Sequence, residues 1–132
     1  MQVKIDTKEK FHAITLLDEH ITANMTADLQ NRLDSFLQND VKNVVLNMGK
    51  VSSLDLEAAE TLIKVQQSYY ENHASFVVCE LKPEVEEWLD KEQLLEIMSA
   101  TPTESEAWDI VQMEEIEREL MDGDDFEFDK SE

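Results

Sequence analysis

The strongest constraint on the fold is a change of hydrophobic period between residues 43 and 71. Residues 44–46, Val-Val-Leu, form a continuous apolar run, which is typical of a strand buried on both faces. Gly49 interrupts this run. From Leu56 the apolar residues recur at helical spacing, which predicts a helix that ends near Glu71. A buried strand followed by a turn and an amphipathic helix favours an α/β fold.

Acidic residues mark the predicted start of this helix. Asp55 occupies the expected N-cap position, where a carboxylate accepts hydrogen bonds from the free amides of the first turn. Glu57 lies in that first turn, where the aligned peptide dipoles favour its negative charge. With the short extended segment Val51–Leu54 before them, these residues form the one constellation that we interpret as a site.

Alternation, capping signals and a proline predict the other elements. A short polar connection joins the first two strands into an antiparallel hairpin. The predicted strands are Gln2–Asp6, Phe11–Leu17, Ser75–Glu80 and a short edge strand at Leu94–Met98. The predicted helices run from Thr26, the expected N-cap, to about Gln38, from Pro83 onward, and from Thr103, which has capping-box spacing to Glu106. This order predicts a mixed β-sheet with helices on one face, preceded by an N-terminal β-hairpin.

Length and cysteine content favour one domain in a reducing compartment. A chain of 132 residues can bury one core without support from a metal or disulfide. Cys79 is the single cysteine, which excludes an internal disulfide and predicts a buried structural thiol. No apolar run approaches the roughly 20 residues that cross a bilayer, and no signal peptide is recognisable. We expect a cytoplasmic protein with a domain over residues 1–121 and an acidic, disordered tail over residues 122–132.

The formal net charge is −20, from 31 acidic and 11 basic residues. Residues 104–132 contribute 13 of the acids and 2 of the bases. This balance disfavours nucleic acid and membrane insertion, and it favours a protein partner with a basic face. Solubility alone would explain the acidity equally well.

The strand and helix around Gly49 resemble the STAS domain of bacterial anti-sigma factor antagonists. The resemblance is carried by V-V-L-N-M-G-K-V-S-S-L-D and by S-F-V-V-C-E-L-K-P-E-V-E-E-W-L, and by element order it covers roughly residues 3–120. In that family a motif D-[ST]-[ST]-G-[LV] opens the helix, and an anti-sigma kinase phosphorylates its second hydroxyl residue. Asp55, Leu56, Glu57 and Ala58 match this motif here, so the hydroxyl residues and the glycine are replaced. Glu57 is therefore the equivalent of the phosphoacceptor.

The resemblance implies a non-catalytic protein–protein interaction module that acts in bacterial signal transduction and transcription regulation. Its expected partner is an anti-sigma factor or kinase-like protein, bound without phosphorylation at the usual position. An alternative is a small STAS subunit of an ATPase-driven lipid-transport complex. The expected partner-binding residues are Ser52, Ser53, Asp55, Leu56, Glu57 and Ala58.

Two interpretations of Glu57 are consistent with the sequence. Glutamate carries one negative charge, against about −1.5 to −2 for phosphoserine, so Glu57 would be an imperfect and permanent mimic of the modified state. The other interpretation is drift, with Glu57 acting only as a favourable acid at a helix start. Ser52 and Ser53 are further candidate modification sites, although serines before a helix commonly act as caps.

No motif in the sequence predicts an enzyme. Asp55 and Glu57 are two residues apart, which points their carboxylates in different directions at a helix start. The chain has two glycines, Gly49 and Gly123, and therefore no glycine-rich phosphate loop. The histidines show no metal-ligand spacing. We predict no catalysis, no cofactor and no metal site.

Overall fold

A five-stranded mixed sheet, a two-stranded ladder and four α-helices organise residues 1–122, the part of the chain that the computed structural model describes. The strands are β1 (Val3–Thr7), β2 (His12–Leu16), β3 (His20–Ile21), β4 (Val44–Asn47), β5 (Ser53–Leu54), β6 (Phe76–Cys79) and β7 (Ala100–Thr101). The helices are α1 (Thr26–Ser35), α2 (Leu56–Glu71), α3 (Pro83–Lys91) and α4 (Glu104–Asp122). Short 3-10 turns lie at Ala23–Met25, Phe36–Gln38 and Leu95–Ile97.

The main sheet has the strand order β1-β2-β4-β6-β7. Strand β1 pairs antiparallel with β2, which confirms the predicted N-terminal hairpin. The other pairs of this sheet are parallel. A second, two-stranded ladder joins β3 to β5 in parallel. The predicted mixed α/β fold is therefore confirmed.

Packing on both faces of strand β4 explains its continuous apolar sequence. Successive side chains of a strand point to opposite faces of the sheet. Val44 and Leu46 belong to the larger core cluster, together with side chains of α1, α2 and α3. Val45 belongs to a second cluster with Ala107 and Val111 of α4. Both faces of β4 are thus covered, as the apolar run predicted.

The prediction that helices cover one face of the sheet holds for α1, α2 and α3. Helix α4 lies on the opposite face, where Trp108 stacks on Phe11 with ring centroids 4.8 Å apart. The predicted capping residue Thr103 accepts a hydrogen bond from the Glu106 amide at 3.2 Å. The C-terminal helix therefore adds a third layer to the fold.

Two predictions of local structure are wrong. Leu94–Met98 is not an edge strand: Leu95–Ile97 forms a 3-10 turn, and the edge strand is β7, which pairs with the end of β6. Leu94 and Leu95 both pack against the larger core, which a strand with alternating faces would not allow. Thr26 is not the N-cap of α1, because the turn Ala23–Met25 precedes it. Its hydroxyl instead donates to the Ala23 carbonyl at 2.9 Å.

The predicted disordered tail, residues 122–132, falls outside the described residues except for Asp122, the last residue of α4. Among residues 1–122, none of the helices combines the length and hydropathy needed to cross a membrane.

Candidate partner-binding site

A tight turn after β4 directs the chain toward α2. The Gly49 amide donates to Oδ1 of Asn47 at 2.8 Å, and the Val51 amide donates to the Met48 carbonyl at 3.0 Å. A Cβ at position 49 would lie 3.1 Å from that Asn47 oxygen, so this close contact favours glycine over a larger residue. The turn places Val51 in the core and brings β5 beside β3.

Asp55 occupies the N-cap position of α2, but its side chain does not cap the helix. Its backbone is extended, with φ −73° and ψ 157°, and its carboxylate makes no capping hydrogen bond. Oδ2 accepts instead from the Ala23 amide at 2.8 Å, while the Asp55 amide donates to the Ile21 carbonyl at 2.9 Å. The predicted capping role is therefore wrong, since Asp55 ties the segment before α1 to the start of α2.

The first turn of α2 presents one acid and one apolar side chain to solvent. Glu57 is exposed, and its carboxylate makes no hydrogen bond or ion pair within residues 1–122. Leu56 beside it is 43% exposed. Ala58 was expected among the partner-binding residues, but it is fully buried in the larger core and contributes no exposed surface. The reason is the helical period, which turns position 58 toward Ala59 and Leu62.

Two serines connect the start of α2 to neighbouring segments. Both serine amides donate to the Glu19 carbonyl, at 2.7 Å for Ser52 and 3.2 Å for Ser53. Ser53 Oγ lies 2.7 Å from Nδ1 of His20, and Lys82 Nζ donates to Ser52 Oγ at 3.3 Å. The two hydroxyl groups therefore already have partners within the protein.

A cavity of about 200 Å³ adjoins the serines. It lies between β5 and α3, and Trp88 forms part of its wall while also packing against the larger core. The full lining is Ser52, Ser53, Leu54, Glu84, Val85 and Trp88. Trp88 therefore contributes both to the core and to the wall of this cavity.

The structure brings together residues that the sequence did not associate with the site. His20 and Lys82 reach the serines from β3 and from the residue before α3. His20 lies in β3, whose two residues are too few to give a periodic signal in the sequence. Of the expected site residues, all but Ala58 are at least partly accessible at the start of α2. We call the accessible set Ser52, Ser53, Asp55, Leu56 and Glu57 the α2-start surface.

The two carboxylates of the α2-start surface share no hydrogen bond within residues 1–122. The Asp55 carboxylate accepts a hydrogen bond from a backbone amide, and the Glu57 side chain is exposed. Proton transfer needs groups within hydrogen-bond reach of a common substrate atom. In the described part of the chain, no group of three or more His, Cys, Asp and Glu side chains could hold a metal ion.

Burial perturbs three ionisable side chains in the interior. Burial raises the pKa of the Cys79 thiol to about 12, with smaller contributions from Glu104 and Glu80. Burial likewise raises the pKa of Tyr70 to about 12, and Glu114, which accepts from its hydroxyl, acts in the same direction. The pKa of Tyr69 is raised mainly by burial as well. These groups stay neutral at physiological pH and support packing.

Comparison with known proteins identifies the fold. The family model for the STAS domain matches residues 3–107. An anti-sigma factor antagonist from Mycobacterium paratuberculosis has a TM-score of 0.72 and 13% identity, with 84% of this chain and 93% of that chain covered. A variant of Moorella thermoacetica RsbS, in which a serine is replaced by glutamate, has a TM-score of 0.70 and 16% identity, with coverage of 89% and 99%.

A third structure, the anti-sigma factor antagonist SpoIIAA in unphosphorylated form, has a TM-score of 0.66 and 15% identity, with 84% of this chain and 96% of that chain covered. The phosphorylated form of SpoIIAA, a cell fate determinant from Bacillus, has a TM-score of 0.60 and 14% identity, with 83% of this chain and 99% of that chain covered. No curated protein sequence matches the chain. At these identities the structural likeness establishes the fold.

Proposed function

The chain belongs to the STAS domain family, and we propose that it is a non-catalytic interaction module that binds an anti-sigma factor or kinase-like partner. The binding surface is the α2-start surface. Glu57 is the observation that carries this proposal, because an exposed carboxylate stands in the first turn of α2 where the family motif has a hydroxyl residue. Binding at this position is therefore not controlled by phosphorylation of residue 57.

Two structural neighbours were solved in forms that carry an added negative charge. SpoIIAA is known in a phosphorylated form, and RsbS has been solved with glutamate in place of a serine. Glu57 supplies a negative charge without a kinase, although it has fewer acceptor oxygens and less charge than phosphoserine. We infer that this chain binds its partner in one fixed charge state.

The chemistry of the surface indicates the chemistry of the partner. Glu57 and the exposed Leu56 are adjacent, so a complementary surface offers a basic side chain beside a small apolar patch. The net charge of −20 steers such a partner toward the protein, and added salt weakens the steering. The cavity beside Trp88 offers a place for one further side chain of the partner.

The test begins with copurification of the partner from native cells. We expect a kinase-like protein, whereas recovery of a transport ATPase would favour the alternative lipid-transport subunit. Mass spectrometry of the protein from the same cells should show no stoichiometric phosphate between Ser52 and Thr61. Stoichiometric phosphoserine at Ser52 or Ser53 that alters partner binding would contradict fixed-state binding.

Variants of residue 57 then test the site itself. Glu57→Ser restores a hydroxyl group in the first turn, and we expect the copurified kinase to phosphorylate it. Calorimetry should show a different affinity for Glu57→Ser than for the unchanged protein. Glu71→Gln is the matched control, because Glu71 is an exposed glutamate at the opposite end of α2. Equal affinities for all three proteins, with no phosphorylation of the serine variant, would remove residue 57 from the binding surface.

A further inference from the structure

Helix α4 reverses its amphipathicity halfway along its length. Ala107 and Val111 are buried against the sheet, as in an ordinary amphipathic helix. Farther along, the residues that face the domain are charged. Glu114 accepts from the Tyr70 hydroxyl at 2.8 and 2.9 Å, and Glu115 accepts from Nδ2 of Asn43 at 2.7 Å.

Arg118 completes the charged inner face one turn later. Its guanidinium donates to Ser75 Oγ at 3.1 Å and to Asn43 Oδ1 at 3.3 Å. Both acceptor residues are buried. Arg118 is the only basic residue of α4, and these contacts turn it toward the domain. The solvent side of the helix is therefore left without positive charge.

The solvent side of the same segment carries large apolar side chains. Met113, Ile116 and Leu120 are 55%, 57% and 54% exposed. Their spacing of three and then four residues places them on one narrow stripe, which we call the outer stripe. This spacing is that of the a and d positions of a coiled-coil seam. The outer stripe begins after residue 107, where the STAS family match ends.

Acidic residues flank the outer stripe at the positions that select coiled-coil partners. With Met113 at position a and Ile116 at position d, Glu117 and Glu119 occupy positions e and g. Both side chains are exposed. In coiled coils the residues at e and g form salt bridges that set partner choice. Two acidic positions call for lysine or arginine on the opposing helix.

We propose that the outer stripe binds a basic amphipathic helix of another protein, whose apolar a and d residues pack on Met113, Ile116 and Leu120. Helix α4 of a second copy fits poorly, because it would place glutamates against glutamates. The chain's own residues 123–132 also fit poorly, since they carry five acids and one base. This surface lies on the opposite side of the sheet from α2 and is independent of the α2-start surface.

The experiment uses the full chain and a designed peptide of three heptads, with leucine at a and d and lysine at e and g. We expect fluorescence anisotropy to detect binding that weakens with salt, and NMR shifts to concentrate on α4. One control peptide has glutamate at e and g, and a second has the same composition as the lysine peptide with its leucines out of register. Neither control should bind.

A matched pair of variants separates apolar docking from general attraction of a basic peptide to an acidic protein. Ile116→Gln should lower affinity for the lysine peptide about tenfold, because central interface residues commonly contribute this much. Ile97→Gln should have no effect, since Ile97 is 54% exposed but lies outside α4. Both substitutions leave the net charge unchanged.

Several outcomes would overturn the proposal. Equal affinities of the two variants, or equal binding of the out-of-register peptide, would show attraction by charge alone. A dimer in sedimentation that Ile116→Gln dissociates would identify a second copy as the occupant. Binding that occurs only after removal of residues 123–132 would identify the chain's own tail.

Discussion

Replacement of Asp55 by alanine should lower the free energy of unfolding by about 1–2 kcal/mol and loosen the start of α2. The carboxylate accepts from the Ala23 amide at 2.8 Å, which is the contact that the substitution removes. The neighbouring bond from the Asp55 amide to the Ile21 carbonyl is formed by the backbone and survives in the variant. The effect is therefore local and leaves the fold intact.

The magnitude follows from two contributions. A hydrogen bond to a charged group contributes about 1.5–3 kcal/mol, but Asp55 is exposed, so solvent reduces this toward ~1 kcal/mol. Removal of a negative charge from the N-terminus of α2 costs a further ~0.3–1 kcal/mol. Asp55→Asn keeps an acceptor oxygen and loses only the charge, so its cost should stay below that of Asp55→Ala. Glu57→Gln removes a negative charge from the first turn of α2 and breaks no hydrogen bond, so it measures the contribution of the helix dipole alone.

Urea unfolding followed by circular dichroism measures the three variants, and hydrogen exchange of the Ala23 amide measures the contact itself. If the Ala23 amide exchanges only on global unfolding, its opening free energy should fall in Asp55→Ala by as much as the free energy of unfolding falls. If it exchanges by local opening, its opening free energy should fall by the local contribution of ~1 kcal/mol. An Asp55→Ala variant as stable as Glu57→Gln, with unchanged protection of the Ala23 amide, would refute the assigned contact.

Two further predictions concern the buried ionisable groups. Because burial raises the pKa of the Cys79 thiol to about 12, a maleimide at pH 8 should label the native protein only at its rate of unfolding, and rapid labelling without denaturant would contradict this burial. The folded-state pKa of Tyr70, about 12, exceeds its ordinary value of 10.0. The contribution of the neutral Tyr70 side chain to the free energy of unfolding is therefore fully present below pH 10 and is lost as the pH rises through 12. Tyr70→Phe should make the decline of unfolding free energy between pH 10 and 12 less steep, and equal slopes in urea titrations would exclude the linkage.

The two proposed surfaces differ in their relation to the family match. The α2-start surface lies within the part of the chain that matches the STAS domain, and its departure from the family motif is a substitution at residue 57. The outer stripe lies in α4 beyond residue 107, after the family match ends. The family match therefore bears on the first proposed surface and does not extend to the second.

The sequence by itself determined the elements whose signals are local and periodic. The apolar run at residues 44–46 predicted a strand covered on both faces, and the change of period after Gly49 predicted α2 to its observed end at Glu71. The hairpin of β1 and β2 followed from a short polar connection. Such patterns are set by neighbours in the chain, so they can be identified without tertiary contacts.

Only the tertiary structure decided which residues meet across long separations. Asp55 contacts Ala23, and Ser53 contacts His20, because β5 pairs with β3. No local sequence pattern predicts these contacts. The apolar stretch at Leu94–Met98 does not distinguish a strand from a turn, since a short run lacks a readable period. Helix α4 has apolar residues on both its sides, so its sequence could not determine which side packs on the sheet. Its inner face is fixed by the fit of Ala107 and Val111 against Val45 and Val77, and the larger apolar side chains are left exposed.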